Sequence, residues 1–133
     1  MKMTTRFKSA LLLAVLSVNN GAFAYDPDKE DVCKKPRFTD FSLTEYNAAD
    51  EVEIAPETEF FFKLSPWADP STIKVTVKGQ PVEVTVVSNS SFHKVTAKLP
   101  AALTGQFARI NARAKAVLGC DDTDGWLVKI AKQ

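Results

Sequence analysis

The chain has 133 residues, with 17 Lys and Arg against 16 Asp and Glu, two Cys and one His. That length is material for one domain, and the near balance of charge supplies no global field to draw nucleic acid or an anionic membrane. A single imidazole also removes most routes to a copper site or a hydrolytic triad, which need several soft or basic groups together.

Residues 1–24 read as an export signal. Lys2, Arg6 and Lys8 give the positive start, Ala10 to Val18 the apolar core, and Ala22-Phe23-Ala24 a small-x-small cleavage site. The apolar run is short of the roughly 20 residues a membrane-spanning helix requires. No Cys stands at the cleavage position to take a lipid, so a soluble, periplasmic or secreted chain beginning at Tyr25 is expected. Cleavage removes three of the 17 Lys and Arg and none of the 16 Asp and Glu, leaving a mature net charge of −2. Both Met residues leave with the signal. Two Cys in an exported chain usually pair. A Cys33–Cys120 bridge would close a loop of about 87 residues, worth on the order of 4 kcal/mol.

Residues 25–36 form a charged, proline-flanked arm, and residues 37–133 are expected to be the folded domain. Phe38 to Thr44 is the first strand. Glu45 to Ala55 is a connector in which Val52 and Ile54 are positioned to return to a sheet edge. Glu57 to Leu64 is the second strand, with Phe60, Phe62 and Leu64 on one face. Ser65 to Pro70 carries two prolines and reads as a loop.

Thr72 to Lys78 and Gln80 to Val87 are the third and fourth strands, joined by a tight hairpin at Lys78-Gly79. Phe92 to Leu99 is the fifth. The sixth, 106–118, carries the clearest signal in the chain: Ala108, Ile110, Ala112, Ala114 and Ala116 alternate with Arg109, Asn111, Arg113 and Lys115, the period of a strand with one dry and one wet face. Gly119 to Gly125 reads as a loop and Trp126 to Lys132 as the last strand. About seven antiparallel strands, regular turn signals and no helical pattern in the mature chain predict an all-β, immunoglobulin-like β-sandwich.

The segments Glu51 to Pro56 (EVEIAP), Asp69 to Val84 (DPSTIKVTVKGQPVEV) and Leu99 to Gly119 (LPAALTGQFARINARAKAVLG) resemble bacterial immunoglobulin-like domains. The last is also similar to the periplasmic copper-resistance chaperone family. These resemblances imply a fold. The copper ligands of that family, a His at the mature N-terminus with further His and Met, have no counterparts here: position 25 is Tyr, and the mature chain has one His and no Met.

Alternating strand directions would send loops 65–71, 88–91 and 119–125 to one end of the sandwich, beside the incoming arm. That places Cys33 within reach of Cys120 and gathers Trp67, Asp69, Asn89, His93, Asp121, Asp122, Asp124 and Trp126. Two readings stand for this loop end: a ligand surface with aromatic anchors beside acids, or tryptophans closing the sandwich above a solvated Asp turn. As a calcium loop, CDDTDG aligns Asp122 and Asp124 but puts Cys120 at the first position and Ala131 at the twelfth, so half the ligands are missing. His93 shares the inward parity of Val95 and reads as structural. No catalytic group, metal or cofactor is expected.

A second candidate surface is the wet face of the third, sixth and seventh strands. There Lys74, Lys78, Arg109, Arg113, Lys115 and Lys129 form a basic stripe suited to an acidic partner or polysaccharide, or else a solvated face that discourages aggregation.

The expected function is a non-catalytic exported module, monomeric or a small oligomer, binding a protein or glycan of the cell envelope, without nucleic acid and without a membrane span. The alternatives are a small-ligand or metal-ion carrier using the loop end, and a structural subunit or inhibitor of an envelope assembly.

Overall fold

The computed structural model describes residues 33–133. The expected export signal, 1–24, and residues 25–32 of the arm lie outside the described residues. Nine strands follow in order: β1 (Phe38–Thr39), β2 (Glu53–Ile54), β3 (Glu59–Leu64), β4 (Ala68–Val77), β5 (Gln80–Val82), β6 (Thr85–Ser88), β7 (His93–Lys98), β8 (Phe107–Ala116) and β9 (Asp121–Ile130). A 3-10 turn, Ala101–Leu103, precedes β8.

Side-chain alternation decides these elements. In β8 every even-numbered residue is buried and every odd-numbered one exposed. β3 buries Phe60, Phe62 and Leu64, and β7 buries His93, Val95 and Ala97.

The strands form two sheets, ordered β1-β3-β7-β6 and β2-β9-β8-β4-β5. That is the strand order of an immunoglobulin-like sandwich, A-B-E-D on one layer and G-F-C with an added C′ on the other. The first-strand role is shared between β1 and β2, one on each sheet. Every pairing is antiparallel except that of β2 with β9, where Glu53 and Ile54 run parallel to Lys129 and Ile130; Ile54 thus returns to the sheet edge as its sequence suggested.

The core is built on unequal partners. β8 offers mostly alanines; Phe60, Phe62 and Leu64 fill the volume from the other sheet, and Trp126 of the adjoining β9 completes it. Phe41 stacks on Trp126 at 4.3 Å between ring centroids, and Phe62 tilts against the same indole at 5.3 Å. Small residues on one layer opposite large ones on the other let the sheets interlock at interior density.

Four boundaries differ from expectation, each for a local reason. β1 stops after two residues because Asp40 takes a positive φ of 56°. Phe41 nonetheless stays packed, held by a Ser42 N–H donating to the Phe61 carbonyl. The predicted fourth strand is two strands: β5 pairs with β4 while β6 pairs with β7, so the chain crosses between sheets at Glu83-Val84. The third strand begins at Ala68, ahead of Pro70, because the ladder is broken where that proline falls and no N–H is needed there.

The fourth correction concerns the last hairpin. The predicted loop 119–125 is strand from Asp121 onward, and the turn is only 117–120. Continuous pairing with β8, from Lys115↔Asp121 to Phe107↔Lys129, overrides the turn-like composition of Asp121 to Gly125. Lys78 and Gly79, both at positive φ, close the β4–β5 hairpin as a two-residue turn of the primed type.

Candidate functional site

Part of the loop-end set comes together: Trp67, Asp122 and Asp124 line one hollow of about 490 Å³ beside the arm residues Lys34 to Phe38, whereas Asp69, His93, Asp121 and Trp126 lie outside it. The register places loops 65–67, 89–92 and 117–120 at a common end, with Leu64 opposite His93 and Ala68 opposite Ala116. Cys33 and Cys120 are disulfide-bonded there, with Cα atoms 6.1 Å apart. Trp67 stands at this end as a clamp: its Nε1–H donates to the Lys35 carbonyl at 2.8 Å, and Lys34 Nζ lies 4.2 Å from its ring centroid. The Trp67 carbonyl accepts from the Val117 N–H at 3.0 Å. One residue thus ties the arm to the β8–β9 hairpin.

His93 is buried, and both ring nitrogens are engaged. Nε2 faces the Pro66 carbonyl at 3.3 Å, and Nδ1 faces Ser88 Oγ at 2.6 Å. A carbonyl can only accept, so Nε2 carries a proton and donates it to Pro66. Neither nitrogen is left for a substrate or a metal.

Trp126 is corrected from the loop end to the middle of the ladder. It pairs with Ile110 and is 7% exposed.

Asp122 and Asp124 have a backbone role. Even-numbered residues of β9 bond toward β8, as the Ile130 N–H does to the Gln106 carbonyl, so the N–H groups of Thr123 and Gly125 face the edge that β2 leaves uncovered. Asp122 Oδ1 accepts from Thr123 N–H at 2.9 Å, and Asp124 Oδ1 from Gly125 N–H at 2.8 Å. Both bonds occupy edge donors that would otherwise template another strand. Among the described residues, no group of three or more His, Cys, Asp or Glu is arranged to share a metal ion. No helix among them is long and apolar enough to cross a membrane.

The basic face does assemble, with changes in membership. Lys74 lies directly opposite Arg113, and Lys115 opposite both Asp69 and Asp121. Lys129 is withdrawn from it: its ammonium is 3.5 Å from Glu53 and 4.9 Å from the Phe107 ring centroid. Lys78 donates to Gln106 Oε1. Arg109 Nε donates to Asn111 Oδ1 at 3.3 Å. Its guanidinium lies across Gly125, where a Cβ would come within 2.7 Å of Nη2, so the glycine leaves room for this arginine to lie along the sheet.

Sequence reasoning missed the cleft in this face. The pairing shifts by three residues between Asp69↔Lys115 and Lys74↔Arg113, leaving Pro70 to Ile73 opposite Ala114 alone. Asp69 Oδ1 accepts from the Ser71 N–H at 3.0 Å and from its hydroxyl at 2.7 Å. Thr72 Oγ1 donates to the Asp69 carbonyl at 2.7 Å and accepts the Lys115 N–H at 2.8 Å, standing in for a missing backbone carbonyl. The outward loop leaves a hollow of about 340 Å³ lined by Ser71, Thr72, Lys74, Arg113, Ala114 and Lys115. The only sequence cue was Asp-Pro-Ser-Thr breaking an otherwise alternating strand.

Hydrogen bonds from Ser71 hold the Asp69 carboxyl below its ordinary value. The hydrogen bond and charge of Arg113 do the same for Asp121. Both groups bind protons less readily folded than unfolded, so their stabilisation is complete above the ordinary carboxylate pKa of 3.8 and is lost as pH falls through the lowered values. Asp121→Asn is therefore expected to flatten the fall of melting temperature between about pH 5 and pH 2. Equal acid slopes in the two proteins would refute this role for the Arg113–Asp121 pair.

No protein-family model and no curated protein matches the chain. Among solved structures it is similar to the trigonal form of titin M4, at 13% identity and a TM-score of 0.42, over 72% of this chain and 95% of that one.

Proposed function

We propose that this domain is a non-catalytic, exported binding module whose partner, a protein or glycan of the cell envelope, docks on the exposed face of β4, β8 and β9. The observation that carries the reading is the placement of Lys74 directly across the ladder from Arg113. Like charges in directly opposed positions disfavour a sheet; Asp121 answers only Arg113, and among the described residues the Lys74 ammonium makes no ion pair. A ligand that neutralises them makes sense of the cost. At the loop end Trp67 and His93 are engaged in internal bonds, and Asp122 and Asp124 each give one carboxylate oxygen to a backbone N–H. Export is supported by the Cys33–Cys120 bridge, which suits an oxidising compartment, and by the signal-like residues 1–24.

The test is capture from an envelope extract with the purified mature domain, compared with Arg109→Glu/Arg113→Glu and with Lys94→Glu/Lys98→Glu on the opposite sheet. Reversal on the β8 face is expected to reduce capture at least about tenfold, the scale of a lost charge-assisted contact, while the other pair retains it. Equal capture by all three proteins would remove this face from consideration.

A further inference from the structure

From the cleft between β4 and β8 we infer a specific ligand class: it is a subsite for an oxyanion group, a sulfate ester or a uronate carboxylate, carried on an acidic polysaccharide. This rests on the binding-module reading above and narrows it to one site and one chemistry.

Three cationic side chains, Lys74, Arg113 and Lys115, and two hydroxyl residues, Ser71 and Thr72, line the hollow, and no carboxylate does. Among the described residues, Lys74 and Lys115 make no ion pair, while Arg113 is held by Asp121. The Asp121 contact takes Arg113 Nε and Nη2, which fixes the guanidinium plane and leaves its other N–H donors for a ligand. The depth of the hollow comes from the backbone: the three-residue register shift pushes Ser71 outward, and the Thr72 bridge to Lys115 N–H keeps the two strands from closing over it. Its backbone walls and the Arg113 guanidinium are therefore in place without a ligand, and Lys74 and Lys115 are the side chains left to order on binding.

The lining favours a saccharide over an acidic protein segment. Protein interfaces concentrate their energy in buried aromatic and aliphatic anchors, and the lining of the hollow has none to offer, since the Ala114 side chain is turned into the core. Of the exposed apolar residues, Leu127 lies across the ladder from Arg109 and Phe107 beyond it, while Val117 and Leu118 belong to the β8–β9 turn, outside the lining of the hollow. Arg109 repeats the positive charge four residues from Arg113 on the same strand, about 13 Å away at the rise of a β-strand. A linear polymer with regularly spaced anions can meet both.

The experiment is a titration of the mature domain, followed by backbone amide NMR shifts, with oligosaccharides of dextran sulfate, of polygalacturonate and of neutral dextran. Dextran sulfate or polygalacturonate is expected to shift the amides of Ser71 to Lys74 and Arg113 to Lys115, with neutral dextran silent; which of the two binds more tightly identifies the oxyanion as sulfate or carboxylate. Lys74→Gln is expected to weaken binding about tenfold without lowering the melting temperature, since it relieves a like-charge pair, whereas Lys98→Gln leaves affinity unchanged. Equal losses in Lys74→Gln and Lys98→Gln would reduce the effect to general electrostatics and overturn the subsite, as would silence toward both acidic polymers. If both polymers are silent but Arg109→Glu/Arg113→Glu still abolishes envelope capture, the subsite fails and the binding module stands. If capture survives reversal, the wider reading fails with it.

Discussion

Replacing both cysteines, Cys33→Ser/Cys120→Ser, lowers the unfolding free energy by about 4 to 5 kcal/mol, as read from urea denaturation of the mature domain. The bridge joins residues 87 apart, and a cross-link over a loop that long removes about that much conformational freedom from the unfolded chain. For a domain of this size, whose total stability is about 5 to 15 kcal/mol, the loss takes a large part of the whole. The arm would keep its other attachments, the mutual bonds between Arg37 and Ser65 and the Trp67 bond to Lys35. The variant should therefore refold to the same sandwich with a lower midpoint and not to a different structure. A loss under about 1 kcal/mol would mean that the unfolded chain is already confined in some other way, and the chain-entropy account would be wrong.

Trp126→Ala is expected to cost about 3 to 5 kcal/mol, the range for removing a large aromatic from a packed interior. Its indole is the point where both layers meet: Phe41 stacks on it and Phe62 tilts against it. The neighbouring strand β8 presents alanines on its buried face apart from Ile110, the residue paired with Trp126, and these cannot expand to fill the void. Trp126→Phe should recover more than half of the loss, because a smaller ring still occupies the space between Phe41 and Phe62. If Trp126→Ala unfolded at nearly the wild-type midpoint, the indole would be an exposed group, as the ligand-surface reading of the loop end requires.

That contrast shows where the sequence was legible. Strict alternation in 107–116, and in Ile73, Val75 and Val77, set both faces of the sheet that holds β4, β8 and β9, because burial on one side only imposes a period of two. The basic stripe followed from the same parity. The Cys33–Cys120 pairing was legible because hairpin geometry sends the arm and the last hairpin to the same end.

What could not be read locally was the start of β9. Asp121 to Gly125 looks like a turn, and becomes strand because β8 supplies a full ladder and Asp122 and Asp124 cap the outward N–H groups themselves. Nor could the cleft be read. It exists because Pro70 falls where the pairing slips by three residues and a threonine hydroxyl replaces a backbone acceptor on the neighbouring strand. The loss of Lys129 from the stripe likewise depends on Glu53, far away in the chain and brought alongside by the parallel β2–β9 contact.

Site-specific photo-crosslinking in intact envelopes tests the central claim most directly. A photoreactive side chain at position 109, on the exposed face of β8, is expected to give a discrete adduct with an envelope component, while the same group at position 122, on the uncovered edge of β9, gives none. An adduct from position 122 with none from position 109 would contradict the account and move the partner surface to the loop end.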